Sequence, residues 1–78
     1  MQAALRAAES AEGETVVIEN GQCWVRSEPD AADPANRMGV AQRGSAWKYE
    51  NETTGTGWLR IRFGDWSGWV SGKYGRVK

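Results

Sequence analysis

Apolar and polar residues alternate most clearly over residues 58–63, whose sequence is "WLRIRF". Leu59, Ile61 and Phe63 fall on one side of an extended chain, while Trp58 and two arginines fall on the other. This period of two residues is typical of a strand with one buried face. The pattern therefore predicts a strand that presents Leu59 and Ile61 to a hydrophobic core.

A tight turn after this strand predicts a β-hairpin. The next two residues are Gly64 and Asp65, and glycine at the first position of a two-residue loop suits a type II′ turn. The segment "WSGWV" is then the returning strand, and the register places Arg60 across from Trp69. We expect these two side chains to form a cation–π pair.

Two earlier segments are also rich in residues that favour strands. The first, "ETVVIEN", contains β-branched residues and ends at Asn20-Gly21, a pair that suits the positive φ of a hairpin turn. The second, "QCWVRS", follows at once. The sequence thus predicts that these two segments pair as another hairpin.

The middle of the chain combines loops with short extended runs. Residues 28–36, "EPDAADPAN", hold both prolines and show no apolar periodicity, so they are predicted to form a long connection of the kind that often carries function. Extended runs over residues 37–41 and 45–50 are separated by a turn at Arg43-Gly44. Residues 51–57 are predicted to form a polar hairpin loop.

These segments together predict an all-β domain over residues 14–78, a small barrel of five to seven short antiparallel strands. Residues 1–13, "MQAALRAAESAEG", favour a helix by composition but are too short to form a stable helix alone in water. We interpret them as a linker or a short frayed helix.

The inventory of reactive side chains argues against an enzyme. The chain has no histidine and a single cysteine, Cys23, so it lacks a histidine base, a disulfide partner and the usual ligands of zinc. Glu50 and Glu52 share a strand face, but so small a domain leaves little room for a sugar cleft between catalytic carboxylates. We expect no catalysis, no cofactor and no metal, and we expect Cys23 to be a buried hydrophobic residue.

The charge balance limits the partners of this chain. Ten basic residues balance ten acidic ones, so no long-range field attracts a polyanion or an acidic membrane surface. No apolar run is long enough to cross a bilayer. Small barrels can bind single-stranded nucleic acid, and basic residues cluster toward the C-terminal end at Arg60, Arg62, Lys73, Arg76 and Lys78. The neutral balance nevertheless favours a partner that is neither nucleic acid nor membrane.

Five tryptophans are more than the interior of a 78-residue domain can bury. Trp24 and Trp58 are predicted to line an exposed groove, where a large rigid ring can dominate the binding energy. Trp66 has core-side parity but stands at a strand end, so it and Trp47 are candidates for the rim of that groove. The remaining aromatic residues are predicted to belong to the core: Tyr49, Phe63 and Tyr74.

The motifs "WVRSEPD", "MGVAQRGSAWKYENE", "GWLRIRF" and "SGWVSGKYGR" occur in this order between about Thr15 and Val77. In order and spacing they resemble the bacterial SH3 family, often called SH3b. Trp24 stands where that family often has Asn, and Glu28 stands where it usually has Gly. The resemblance implies an SH3-like barrel that sits beside a peptidoglycan hydrolase or amidase domain in bacterial and phage proteins.

The resemblance also implies a function. Family members hold a linked hydrolase on the cell wall by binding a peptidoglycan peptide, cross-bridge or stem, in a groove lined by aromatic residues. We therefore expect a cell-wall-binding module that is extracellular or in the cell wall, exported without a visible signal peptide or encoded by a phage. The ligand-binding residues that we expect are Trp24, Glu28, Asp30, Asp33, Tyr49, Trp58 and Trp66.

Two further expectations concern the ligand. The acidic residues of the 28–36 loop are expected to receive a cationic amine of the wall peptide. An alternative function is that of a protein-interaction or assembly module of a phage or secreted bacterial protein, which would bind an extended peptide such as a proline-rich segment. Both functions use an aromatic groove, so the sequence leaves both open.

Overall fold

A computed structural model describes residues 14–78, and residues 1–13, predicted to be a linker or a frayed helix, lie outside the described residues. The described part consists mainly of seven strands with one short 3-10 helix. The bounds of these elements are β1 Thr15–Ile18, β2 Cys23–Arg26, the 3-10 helix Pro34–Asn36, β3 Arg37–Ala41, β4 Ala46–Thr53, β5 Trp58–Phe63, β6 Trp66–Ser71 and β7 Gly75–Val77.

The seven strands form one sheet in the order β3-β2-β6-β5-β4-β1-β7. Every neighbouring pair is antiparallel. The sheet makes a small barrel-like fold around an apolar interior. This architecture confirms the prediction of an all-β domain made of five to seven short strands.

The hairpin of β5 and β6 has the predicted register. Phe63 pairs with Trp66 across the turn, and Arg60 pairs with Trp69. Gly64 has a φ of 66°, as the first central position of a type II′ turn requires. The Arg60 guanidinium lies 5.7 Å from the centroid of the Trp69 ring, so the predicted cation–π pair is confirmed.

The predicted hairpin of β1 and β2 is wrong. β1 pairs with β4 and β7, whereas β2 pairs with β3 and β6. Gly21 does have a positive φ of 99°, but the backbone N–H groups of Glu19 and Asn20 donate to the carbonyl of Tyr74 at 2.9 and 3.2 Å. Because the turn before β7 takes these donors, the chain leaves β1 without forming a ladder to β2.

A bulge makes β4 longer than expected. Tyr49 pairs with Ile61 and Thr53 pairs with Leu59, so β4 carries extra residues between these two pairs. Asn51, within the bulge, has a φ of 60°. The loop predicted over residues 51–57 is therefore confined to residues 54–57.

The interior is small and aliphatic, and Cys23 belongs to it as a buried free thiol. That placement confirms the prediction for this cysteine, and burial raises the pKa of its thiol. The largest completely buried side chains are Val16, Ile18, Val25, Ile61 and Val70. They come from four different strands, which holds the sheet in its curved form.

The aromatic residues divide between this core and the surface. Trp47, Tyr49 and Phe63 are partly buried and pack against the core, with the rings of Trp47 and Phe63 5.1 Å apart. The prediction that Tyr74 is a core residue is wrong, because it lies in the turn before β7 rather than on a strand face and is 36% exposed. Trp66, beside the β5–β6 turn, is 68% exposed.

Candidate functional site

An open groove of about 930 Å³ lies between β2, the start of β5 and the turn that joins β6 to β7. We call it the Trp24 groove. Its lining residues are Gln22, Cys23, Trp24, Arg26, Ala31, Val40, Thr56, Gly57, Trp58, Ser71, Gly72, Lys73 and Tyr74.

Exposed apolar side chains are concentrated in the Trp24 groove. Among residues 14–78 the large hydrophobic residues that are exposed are Trp24, Val40, Trp66 and Tyr74, and all of them except Trp66 line the groove. Trp24 and Val40 pair across β2 and β3. The Arg37 guanidinium lies 4.4 Å from the centroid of the Trp24 ring, and this cation–π contact helps to orient the ring.

Two glycines close the side of the groove next to Trp58. The N–H of Gly72 donates to the carbonyl of Gly57 at 3.0 Å. A Cβ on Gly72 would lie 2.5 Å from that carbonyl oxygen, so this approach of two backbones requires glycine. Gly57 itself has a φ of 92°, a conformation that other residues rarely adopt.

Hydrogen bonds fix the two loops that carry Trp58 and Tyr74. The hydroxyl of Thr54 accepts from the N–H of Trp58 at 3.1 Å, and the N–H of Thr54 donates to the Trp58 carbonyl at 3.0 Å. In the other loop, the Asn20 side-chain amide donates to the carbonyl of Lys73 at 3.1 Å. A groove held in this way loses little conformational entropy when a ligand binds.

Arg26 is a buried cation at this groove. It is 6% exposed and lines the groove. Its Nη1 donates to Oδ1 of Asn36 at 3.0 Å and to the backbone carbonyl of Asp33 at 3.2 Å. Asn36 is also buried and donates from Nδ2 to the carbonyl of Asp30 at 2.8 Å. These bonds fasten the 28–36 loop to β2.

The acidic side chains of that loop do not line the groove. Glu28, Asp30 and Asp33 are all exposed. One carboxylate oxygen of Asp30 accepts from the N–H of Ala32, and one of Asp33 accepts from the N–H of Ala35, each at 2.9 Å. The two aspartates therefore order the backbone of their own loop, and Asp33 is the N-cap of the 3-10 helix.

Tyr49 and Trp66 also lie away from the groove, although both were expected to bind the ligand. Tyr49 is on β4, partly buried, with its hydroxyl 2.5 Å from Oγ1 of Thr53. Trp66 begins β6 next to the β5–β6 turn. Of the predicted ligand-binding residues, the structure brings together Trp24 and Trp58 in the Trp24 groove.

Sequence reasoning missed Tyr74, Lys73 and Val40 as groove residues. Tyr74 and Lys73 stand in "SGKYG", a turn segment bounded by glycines, and an aromatic ring in a turn is poorly placed for burial. That sequence context indicates exposure of Tyr74 and Lys73. No sequence pattern indicates the exposure of Val40, because it depends on the position of β3 at the edge of the sheet.

Arg60 and Arg62, counted above as candidates for binding nucleic acid, are paired with the carboxylates of β4. Nη1 of Arg60 lies 2.6 Å from Oε1 of Glu52, and this hydrogen bond raises the pKa of the arginine. Glu50 lies 3.5 Å from Nε of Arg60 and 3.7 Å from Nη1 of Arg62. The charges of this face therefore largely cancel one another.

Arg76 and Lys78 share Glu19 in the same manner. Oε2 of Glu19 lies 2.6 Å from Nζ of Lys78, and Oε1 lies 3.6 Å from Nε of Arg76. The hydrogen bond from Lys78 is the main cause of a lowered pKa at the Glu19 carboxyl. Of the basic residues toward the C-terminal end, Lys73 forms no ion pair within residues 14–78.

The described residues show neither a metal centre nor a membrane helix. Within residues 14–78 no three His, Cys, Asp or Glu side chains are grouped so that they could hold a metal ion. No helix in the same range has the length and apolar character needed to cross a bilayer. Comparison of the chain with protein-family models, curated proteins and solved structures finds no match in any of the three.

Proposed function

We propose that residues 14–78 form a non-catalytic module of the SH3b type that targets a bacterial cell wall by binding a peptidoglycan peptide in the Trp24 groove. The observation that carries this proposal is the convergence of Trp24, Trp58 and Tyr74 on one open groove with a fixed backbone. Half-exposed rings in a preformed groove are typical of sites where a few aromatic residues supply most of the binding energy.

The polar lining of the groove suits a peptide with few apolar side chains. Wall peptides of glycine or D-amino acids present mainly backbone amides, so flat rings and hydrogen-bonding groups must make the contacts. Gln22, Thr56 and Ser71 place such groups beside the rings. An extended chain laid along the groove would thus find both kinds of partner.

This function would locate the module at the cell wall or outside the cell. A hydrolase domain joined to it would be kept close to its polymeric substrate, because tethering raises the effective concentration of the second domain. The module itself would supply binding and leave the chemistry to that domain.

Co-sedimentation with purified peptidoglycan tests the proposal. We expect the full chain to be retained, and Trp24→Ala and Trp58→Ala each to weaken retention by about tenfold or more, since both substitutions remove a central ring. Trp66→Ala is the matched control, because Trp66 is a more exposed tryptophan outside the groove. Equal losses for all three variants, or no retention of the wild type, would contradict the proposal.

Two alternatives give different results in the same assay. A module that assembles with another protein would not be retained by peptidoglycan. It would instead bind an extended, proline-rich peptide through the same rings. Binding to nucleic acid would weaken steeply with added salt, because counterion release dominates contacts to phosphates. Binding of a wall peptide, which presents few charges, should weaken much less over the same range of salt.

A further inference from the structure

We propose that the Trp24 groove recognises a free carboxylate of its peptide ligand, and that Arg26 and Lys73 are the groups that hold it. This inference rests on the proposed peptide-binding function and specifies the chemistry of the ligand. The charged side chains that line the groove are those of Arg26 and Lys73, and no acidic residue of the described part of the chain lines it. The groove is therefore complementary in charge to an anion.

Arg26 is 6% exposed as a residue, and its guanidinium has no carboxylate partner among residues 14–78. Its Nη1 donates to the amide oxygen of Asn36 and to a backbone carbonyl, both of which are neutral. The carboxylates of Asp30 and Asp33, although close in sequence, accept hydrogen bonds from the backbone of their own loop. A guanidinium whose acceptors in the protein are all neutral keeps its full charge available for a ligand carboxylate.

One edge of the Arg26 guanidinium remains for such a ligand. Within the described residues no hydrogen bond uses Nε or Nη2 of Arg26. These two atoms form the edge of the guanidinium that donates two parallel hydrogen bonds to a carboxylate. Because Nη1 is already held by Asn36 and the loop, the planar group is oriented before the ligand arrives.

Lys73 adds a second positive charge at the turn between β6 and β7. Its backbone N–H donates to the hydroxyl of Ser71 at 3.1 Å, and its carbonyl accepts from Asn20. The ammonium forms no ion pair within residues 14–78. It can therefore pair with the anionic group of a ligand. The inference thus reverses the expected polarity of recognition, from a ligand amine at Glu28, Asp30 and Asp33 to a ligand carboxylate.

A pair of peptides that differ in one group tests the carboxylate directly. Acetyl-Lys-D-Ala-D-Ala is titrated into the ¹⁵N-labelled full chain as its free acid and as its C-terminal amide, with the indole N–H signals of Trp24 and Trp58 as the readout. We expect the acid to bind about tenfold tighter or more, the scale of a hydrogen bond to a charged group. Equal dissociation constants, or no response to either peptide, would overturn the inference.

Chemical amidation of the wall separates this inference from the proposed function. Purified peptidoglycan is treated with carbodiimide and ammonia, which converts its carboxylates to amides, and is compared with untreated wall. Strong retention on untreated wall and weak retention on amidated wall would support both ideas. Equal retention on the two walls would leave wall binding in place and overturn the carboxylate site. No retention on either wall, with the free acid still favoured in the titration, would overturn wall binding alone.

Matched lysine variants identify the residues involved. Lys73→Gln should weaken binding of the free acid by about two- to fivefold, as expected for one exposed charge, and should weaken binding of the amide less than that. Lys48→Gln is the control, because Lys48 is an exposed lysine of β4 that does not line the groove.

Arg26→Lys keeps the charge but loses the planar edge, and should reduce the preference for the acid. The comparison of acid and amide on the wild-type chain decides the matter if that variant fails to fold.

Discussion

The amide of Gly72 and the carbonyl of Gly57 are joined by a hydrogen bond of 3.0 Å that brings the end of β6 against the segment before β5. Neither residue has a side chain, and the contact is close enough that none would fit on Gly72. Both residues line the Trp24 groove. The width of the groove beside Trp58 is therefore set by two backbones in direct contact.

Gly72→Ala should destabilise the protein by about 1 to 3 kcal/mol, the usual cost of forcing extra volume into a packed site. The reason is that the new Cβ would lie 2.5 Å from the Gly57 carbonyl oxygen. Gly55→Ala is the control, because a Cβ there meets nothing within 4 Å. Urea unfolding of both variants checks the prediction, and equal midpoints would contradict it.

Ile61→Ala should cost about 2 to 5 kcal/mol, which is enough to unfold much of so small a domain. Ile61 is completely buried on β5 among the aliphatic side chains of the core. Ile61→Val removes a single methylene group and should cost only about 0.5 to 1.5 kcal/mol. Thermal and urea unfolding monitored by tryptophan fluorescence would measure the series, and a similar cost for both variants would argue against tight packing at this position.

Glu19→Gln should lower the melting temperature slightly at about pH 7 and should lower it less at about pH 3. The hydrogen bond from Lys78, with the charges of Lys78 and Arg76, holds the pKa of the Glu19 carboxyl below its ordinary value of 4.5. Because the folded state favours the charged form, this contribution to stability is present above the unfolded pKa and is lost as the pH falls through the lower folded pKa.

Glu28→Gln serves as the control for that pH series. Glu28 is exposed and forms no ion pair within residues 14–78. The melting temperature of this variant should follow that of the wild type at both pH values. A difference between wild type and Glu19→Gln that did not depend on pH would show that the charge of Glu19 is not the cause.

The thiol of Cys23 should react slowly with a disulfide reagent in the folded protein and rapidly after unfolding in guanidinium. Cys23 is buried, and burial raises the pKa of the thiol, so little of the reactive thiolate forms near neutral pH. The rate of colour release from Ellman's reagent at about pH 8 measures this. Similar rates in the two states would show that the thiol is accessible from the groove that it lines.

Local patterns in the sequence predicted the β5–β6 hairpin because everything that determines it lies within a few residues. The alternation over residues 58–63 and the glycine at position 64 suffice to define the strands, the turn and the register. The Asn20-Gly21 pair is an equally good local signal, yet β1 and β2 do not pair. The N–H groups of Glu19 and Asn20 donate to the carbonyl of Tyr74, far along the chain, and no local pattern reports such a partner.

The candidate site was only half predictable for a similar reason. The surplus of tryptophan indicated that some rings must be exposed, and Trp24 and Trp58 do line one groove. The acidic residues of the 28–36 loop suggested a binding site for an amine, but their carboxylates bond to nearby N–H groups of the loop. The composition of the loop gives the number of its charges. It does not show which hydrogen bonds orient the carboxylates or where they point.

The pairing of β1 with β7 has a consequence for the order in which the strands come together. Val16 pairs with Val77, and the N–H of Lys78 donates to the carbonyl of Thr15 at 2.8 Å. Contacts so distant in sequence form late, because a long loop must close before any of them can be made. The β5–β6 hairpin can form early from residues that are close in sequence, whereas one edge of β1 stays unpaired until residues 75–77 reach it.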